Sequence, residues 1–175
     1  MILFTIGHSN HRLERLIELL RQYQVSLVVD IRSVPASRYN PQFNQKSLRH
    51  TLYENGIEYI YMGDQLGGRP DDPTLYQRPV NPKDNQIHYE LDYKKIIQRD
   101  WFFVGIQNLI NFTREKVAAI LCSEEDPYHC HRHFIVSRYI FEEIPDVTIK
   151  HIRRSGAVFT LEGTQQELFT IEEEE

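Results

Sequence analysis

The stretch LCSEEDPYHCHRHF, Leu121 to Phe134, holds both cysteines of the chain with three histidines, three carboxylates and an arginine. Three chemistries compete for these side chains. Thiolate and imidazole are zinc ligands, and His8 offers a further imidazole. Seven residues separate Cys122 from Cys130, however, and His131 follows at once. That does not match the short Cys-x2–4-Cys and His-x3–5-His steps with which one loop wraps a tetrahedral ion. The spacing therefore implies no resident cofactor, zinc being the metal that the donor types would suit. A Cys122–Cys130 disulfide needs Cα atoms within about 7 Å, which spacing does not fix. The third chemistry is a thiol at a helix start. At the N-cap or in the first turn, Cys130 would feel the helix dipole and neighbouring His131 and Arg132, all favouring thiolate. In a plainer version Cys130 is a buried small hydrophobe, and the N–H groups of His131 and Arg132 bind the anion. His133 is expected at the periphery.

Such residues need a frame, and apolar runs alternate with amphipathic stretches along the chain. Ile2–Ile6 reads as a strand, and Asn10–Tyr23 as a helix with Leu13, Leu16, Ile17 and Leu20 on one face behind the starters Ser9 and Asn10. Val25–Ile31 is nearly unbroken and β-branched, as buried parallel strands are. Gln45–Asn55 reads as a helix stopped by Asn55-Gly56, and Ile57–Met62 as the third strand. Asp100 is placed to cap a helix bearing Phe102, Phe103, Ile106, Leu109 and Ile110. Val117–Cys122 is the fourth strand, and a helix follows from about Cys130 to Glu143. Val147–Ile152 and Ala157–Leu161 form two late strands joined by the turn RRSG.

Strands separated by helices predict a three-layer, Rossmann-like α/β sandwich around a mainly parallel sheet, with an antiparallel hairpin at its C-terminal edge. Residues 1–170 are expected to form one domain and 171–175 an acidic tail. The segment Gly63 to His88, with four prolines and Gly67-Gly68, predicts a long irregular connection, either a binding loop or an insertion without a role.

In an open parallel sheet, ligands bind beyond the carboxyl ends of the strands, where helix N-termini converge. Strand one ends at Gly7, His8 and Ser9. Strand two leads to Asp30, Arg32, Ser37 and Arg38, strand three to Tyr61, Gly67, Gly68 and Arg69. Strand four leads to Cys122, Glu124, Cys130, His131 and Arg132. The chemically unusual clusters thus fall on one edge, whereas polarity for solubility alone would be spread over both. Ser9 is expected mainly to cap the first helix. Asp30 is either a carboxylate paired with Arg32 or Arg38 or a general base. Several arginines at one crevice mouth point to a phosphate or carboxylate ligand, against the alternative that they neutralise Asp30, Asp64, Glu124 and Glu125.

Composition bounds these readings. The chain has 175 residues, enough to bury a core without disulfides, with 41% hydrophobic and 26% charged residues. The apolar runs are too short to cross a bilayer, and the first residues lack a basic secretory leader, so a cytoplasmic protein is expected. A net charge of −5 argues against general affinity for nucleic-acid backbones.

Four motifs occur in order: TIGHS at Thr5–Ser9, DIRSVPASR at Asp30–Arg38 followed by Phe43-Asn44, LGG at Leu66–Gly68, and LCSEEDPYHCHR at Leu121–Arg132, with KHI at Lys150–Ile152. Together they resemble the family catalogued as domain of unknown function 488, over Thr5 to Ile152. The resemblance implies a small Rossmann-like domain of bacteria and archaea. It also implies that His8, Asp30, Arg32, Ser37, Arg38, Cys122, Glu124, Cys130, His131 and Arg132 are signature positions. It carries no established reaction.

The leading expectation is an enzyme acting on an anionic substrate, a nucleotide or a nucleic-acid end or base. Arg32, Arg38 and Arg132 would clamp phosphate, Asp30 or Glu124 would move protons, and Cys130 or His8 would act as nucleophile or acid/base, with Ser37, Tyr61, Gly67, Gly68, Cys122 and His131 lining the ligand. The alternatives are a non-catalytic nucleotide or phosphometabolite sensor and a thiol redox or metal sensor. The expected partner is a small anionic ligand or a nucleic-acid end, with no membrane, and a homodimer is the assembly to test for.

Overall fold

A computed structural model describes residues 1–79 and 90–162. The expected acidic tail and residues 80–88 of the long connection lie outside the described residues. Among the described residues six strands form one sheet: β1 (Ile2–Gly7), β2 (Leu27–Asp30), β3 (Glu58–Tyr61), β4 (Ala118–Cys122), β5 (Thr148–Ile152) and β6 (Val158–Thr160). Their order is β3-β2-β4-β1-β5-β6. All pairs are parallel except β5 with β6. The fourth strand therefore lies between the first and second, pairing Gly7 with Cys122 on one side and Asp30 with Leu121 on the other.

Both faces of the sheet are covered, which is why the central strands lack polar alternation. Val28, Ala119, Leu121, Phe4 and Ile6 pack against α1 (Leu13–Gln22) and α2 (Gln45–Glu54). Their sequence neighbours Leu27, Val29, Ala118, Ile120 and Leu3 point the other way, as a period of two demands. They meet α3 (Gly63–Leu66), α4 (Tyr93–Ile96), α5 (Asp100–Glu115) and the segment leading into α6 (Arg138–Glu143).

Several boundaries differ from the sequence reading. Ser9 does not cap α1: it has φ +42° and the helix begins after Arg12, without a side-chain cap. Asp100 is the first residue of α5 rather than its cap, so it acts on the helix through its charge. The helix expected from Cys130 begins as a π-helical turn, Arg132–Ser137, that passes into α6. The connection after β3 is less irregular than expected, because α3 and a 3₁₀ turn at Pro73–Leu75 occupy part of it. A turn of four residues is too short to announce itself by periodicity.

Candidate functional site

The carboxyl ends of β1, β2 and β4 open on a cavity of about 380 Å³. Its wall includes His8, Ser9, Arg32, Ser33, Ser37, Gly68, Arg69, Cys122, Glu124, Cys130 and His131. This volume lies within the range of small-molecule sites. Segments that are remote in sequence meet here because adjacent parallel strands end at one level. Backbone bonds lock the junctions: His8 N–H donates to the Cys122 carbonyl (3.0 Å), Ser9 N–H to Ser123 O (2.7 Å) and Ile31 N–H to Leu121 O (3.1 Å).

Asp30 stands behind this wall, fully buried. Its carboxylate accepts from Arg32 Nε (2.9 Å), Arg32 Nη2 (2.5 Å), Arg32 N–H (3.1 Å) and the Tyr59 hydroxyl (2.7 Å). Asp30 is thus the paired carboxylate of the two readings open in the sequence, with its lone pairs committed. Burial and then the Asp30 charge push the Tyr59 phenol up, keeping it a donor.

Arg32 carries the network onward, donating from Nη1 to His8 Nε2 at 3.1 Å. His8 donates from Nδ1 to the Ser9 carbonyl (2.8 Å), which fixes the neutral tautomer, and its ring stacks on Phe43 at 4.3 Å. Burial, then Arg32, lowers its pKa to about 4. His8 therefore faces the cavity with both nitrogens engaged.

The other arginines part company. Arg132 is fully buried and points inward, donating to the carbonyls of Glu124 and Glu125 (Nη2 to Glu125 O, 2.7 Å) and to Thr5 Oγ1 (3.3 Å). It shapes the cysteine loop and lies off the cavity wall. Arg38 is exposed and also lies off that wall. Arg69, given only in passing by the sequence, is on it.

Loop residues hold the wall in shape. Ser37 Oγ accepts from the N–H groups of Tyr39 (3.2 Å) and Asn40 (3.0 Å). Tyr61 does not line the cavity; its hydroxyl donates to the Ser33 carbonyl (3.2 Å), while Ser33 Oγ accepts from Arg69 N–H (2.9 Å). Gly67 lies behind this contact, where an added Cβ would meet Gly63 O at 2.2 Å.

At the floor lie Cys122, Cys130 and His131, all buried, with both cysteines free. Burial tends to raise both thiols, yet the hydrogen bond from Cys122, and then Arg132 and His131, hold Cys130 well below the usual thiol range while Cys122 is raised. Cys130 is extended (φ −145°, ψ 138°), and its carbonyl accepts from His133 N–H (2.9 Å), as an N-cap residue's does. Glu124, at the rim, has a raised pKa from burial and from Cys130.

Behind the floor runs a chain the sequence reading missed. Arg132 Nε donates to Thr5 Oγ1, which bonds His151 Nδ1 at 2.8 Å; His151 Nε2 lies 3.2 Å from His133 Nδ1. His133 is therefore buried in a network rather than peripheral. The KHI motif was the available signal, placing His151 beside Thr5 in the β1–β5 register.

Acid will tax these histidines. His8 (about 4; burial, Arg32) and His151 (about 3; burial, His133, Arg132, Arg153) both lie below the usual histidine value of about 6.5 in the folded state. Around His8 the charged and titratable groups are Arg32, Asp30 and His11; around His151 they are His133, Arg132, Arg153 and Cys130. The unfolded chain then binds more protons, so their contribution to stability is complete above about pH 6.5 and falls with pH through 4 and 3. Urea denaturation at pH 7 and pH 5 should show a lower midpoint at pH 5, each histidine contributing up to about 1.4 kcal/mol per pH unit. A midpoint independent of pH across that window would contradict the buried neutral state.

These features define a class, an open and mainly parallel α/β sheet whose carboxyl-edge crevice joins arginines to a thiol–imidazole cluster. The chain belongs to the family described as Domain of unknown function DUF488, whose model matches residues 12–139. No curated protein and no solved structure shows a match. The described helices include none long and apolar enough to cross a membrane.

Proposed function

We propose that the protein is an enzyme acting on a small anionic substrate, a nucleotide or a phosphorylated nucleic-acid end, bound in the crevice. The observation that carries this reading is that Arg32, Arg69, Glu124 and the Cys–His cluster line one cavity at the strand ends. Arg69 and Arg32 lie on its wall, the charge of Arg32 being balanced by Asp30, and guanidinium groups suit phosphate. Of the expected clamp Arg32, Arg38 and Arg132, Arg32 alone is on the wall, bonded to Asp30 and His8, and Arg69 joins it there. Glu124, at the rim, is the proton carrier, since Asp30 is committed to Arg32 and Tyr59. The reacting atom sits above the Cys122, Cys130 and His131 floor.

A second reading, non-catalytic sensing of the same ligand, draws on the burial of Cys130, only 1% exposed. One experiment separates the two. Thermal shift is measured against inorganic phosphate and a panel of nucleoside mono-, di- and triphosphates, with the added compound analysed afterwards. A ligand at 100 times its Kd should stabilise by about 2.7 kcal/mol. Arg69→Ala should weaken that shift, and Glu124→Gln should cut turnover by about 10²-fold or more at unchanged Tm. A shifting compound recovered intact favours sensing. No shift from any member at millimolar concentration would remove both readings.

A further inference from the structure

The floor of the crevice has a geometry that neither nucleophilic nor disulfide chemistry requires. Cys122 ends β4 and Cys130 precedes the π-helical turn, and residues 123–129 fold the two together. Cys122 Sγ lies 3.7 Å from His131 Nδ1, and Cys130 Sγ 3.9 Å from the same nitrogen. The three donor atoms all lie within 4.8 Å of one another. Sulfur about 2.3 Å and nitrogen about 2.0 Å from a tetrahedral ion stand roughly 3.6–3.8 Å apart. The two S···N distances are therefore within a few tenths of an ångström of the spacing an ion would impose, and the two sulfurs need close by no more than about 1 Å. Sequence spacing argued against a metal because it describes one loop wrapping an ion, whereas here a strand end and a helix start supply the ligands.

The imidazole is aimed. His131 Nε2 lies 3.3 Å from the Ile31 carbonyl and can only donate to it, which leaves the Nδ1 lone pair facing both sulfurs. Metal-bound histidines are held in this way, by a carbonyl on the far nitrogen. Gly68 packs against the same ring, where an added Cβ would stand 2.6 Å from Cγ and Nδ1.

We propose that Cys122 Sγ, Cys130 Sγ and His131 Nδ1 form a three-ligand site for a divalent ion of the zinc class, with its fourth position open to the crevice. Thiolate with imidazole in a tetrahedral frame selects such ions. Structural zinc sites close with four protein ligands, and sites that act on a substrate keep one position free. Among the described residues the group contains three ligands and no fourth, and all three line the cavity. Binding sends the thiol protons to solvent. Two thiolates then balance the ion, while buried Arg132 donates to neutral oxygens close by. With the ion's charge met by the thiolates, Arg132 and Arg69 lie near the open position along with the Glu124 carboxylate, and a divalent ion's free position takes an oxygen ligand, water or a substrate oxygen. The identity of that oxygen rests on the proposed substrate reading; the ion's binding does not.

The full chain, purified under reductant without chelator, should carry one zinc by native mass spectrometry. After chelation, titration with cobalt(II) should give one equivalent of a thiolate-to-cobalt charge-transfer band with strong tetrahedral visible bands. Both should vanish in Cys122→Ser, Cys130→Ser and His131→Gln, and Gly68→Ala should weaken cobalt binding about 10–100-fold while keeping all three ligands. Inorganic phosphate should shift the visible bands without altering the stoichiometry. If the variants fail to fold, the wild-type spectrum and protection of both thiols from alkylation by equimolar zinc carry the test. No charge-transfer band with both thiols still reactive, or a Cys122–Cys130 disulfide in the native protein, would overturn the site. Bands indifferent to phosphate would overturn its open position. An intact cobalt spectrum alongside a silent nucleotide panel would sink the substrate class alone.

Discussion

Replacing Asp30 with alanine is expected to cost about 3–5 kcal/mol of folding stability, seen as a fall in the urea midpoint at constant slope. The size follows from what is left behind. Arg32 is 4% exposed and Asp30 fully buried, and two side-chain bonds plus a backbone bond tie them together. Without the carboxylate, a guanidinium remains in the interior with His8, a neutral ring, as its remaining side-chain partner. Leaving a charge uncompensated costs far more than the net worth of the pair. Tyr59→Phe removes one hydrogen bond to the same carboxylate and should cost only about 1 kcal/mol. Equal losses in the two variants would mean that Arg32 reaches solvent when Asp30 is gone.

Gly7→Ala should be as damaging for a different reason. A Cβ at Gly7 would lie 1.6 Å from the Glu124 carbonyl oxygen and 2.4 Å from its carbon, both backbone atoms that cannot rotate away. The loop 123–129 must then move off β1, breaking the Ser9 to Ser123 bond and the seat of the Arg132 guanidinium. The expected loss is at or above the upper end of the roughly 1–3 kcal/mol typical of overpacking. The Cys–His floor should be displaced with it, so any cobalt band should disappear even in whatever fraction stays folded. A variant with native stability would show that the loop has an alternative path. Gly56→Ala makes the contrast: nothing stands within 4 Å, but φ is +74°, so backbone strain alone is at stake.

The two predictions also mark where the sequence was transparent. Strands such as Leu27–Asp30 and Ala118–Cys122 were readable because burial on both faces leaves unbroken apolar runs. The edge carrying the site followed from chain direction alone, since parallel strands send their loops to the same side. What was not readable depends on pairing in space. Asp30 could have paired with Arg32 or Arg38, and only the path of residues 31–38 decides it. Arg132 and Arg38 look alike as letters, yet one is sealed under the cysteine loop and the other is exposed. The convergence of Cys122 with Cys130 and His131 is a property of the loop's closure, and no spacing rule for a single loop detects it. Ser9 reads as a cap because serine usually caps, but its positive φ and its bond to Ser123 put it to another use.

The placing of the fourth strand between the first and second has a consequence for synthesis on the ribosome. β1 and β2 are made early but have no direct pairing with each other; both wait for residues 118–122. A growing chain shorter than that leaves both margins of β1 and one margin of β2 open, the kind of surface that invites pairing with another chain. The same late insertion brings in Cys122, so the Cys–His floor is absent until the sheet is knitted, and an incomplete polypeptide exposes no assembled crevice.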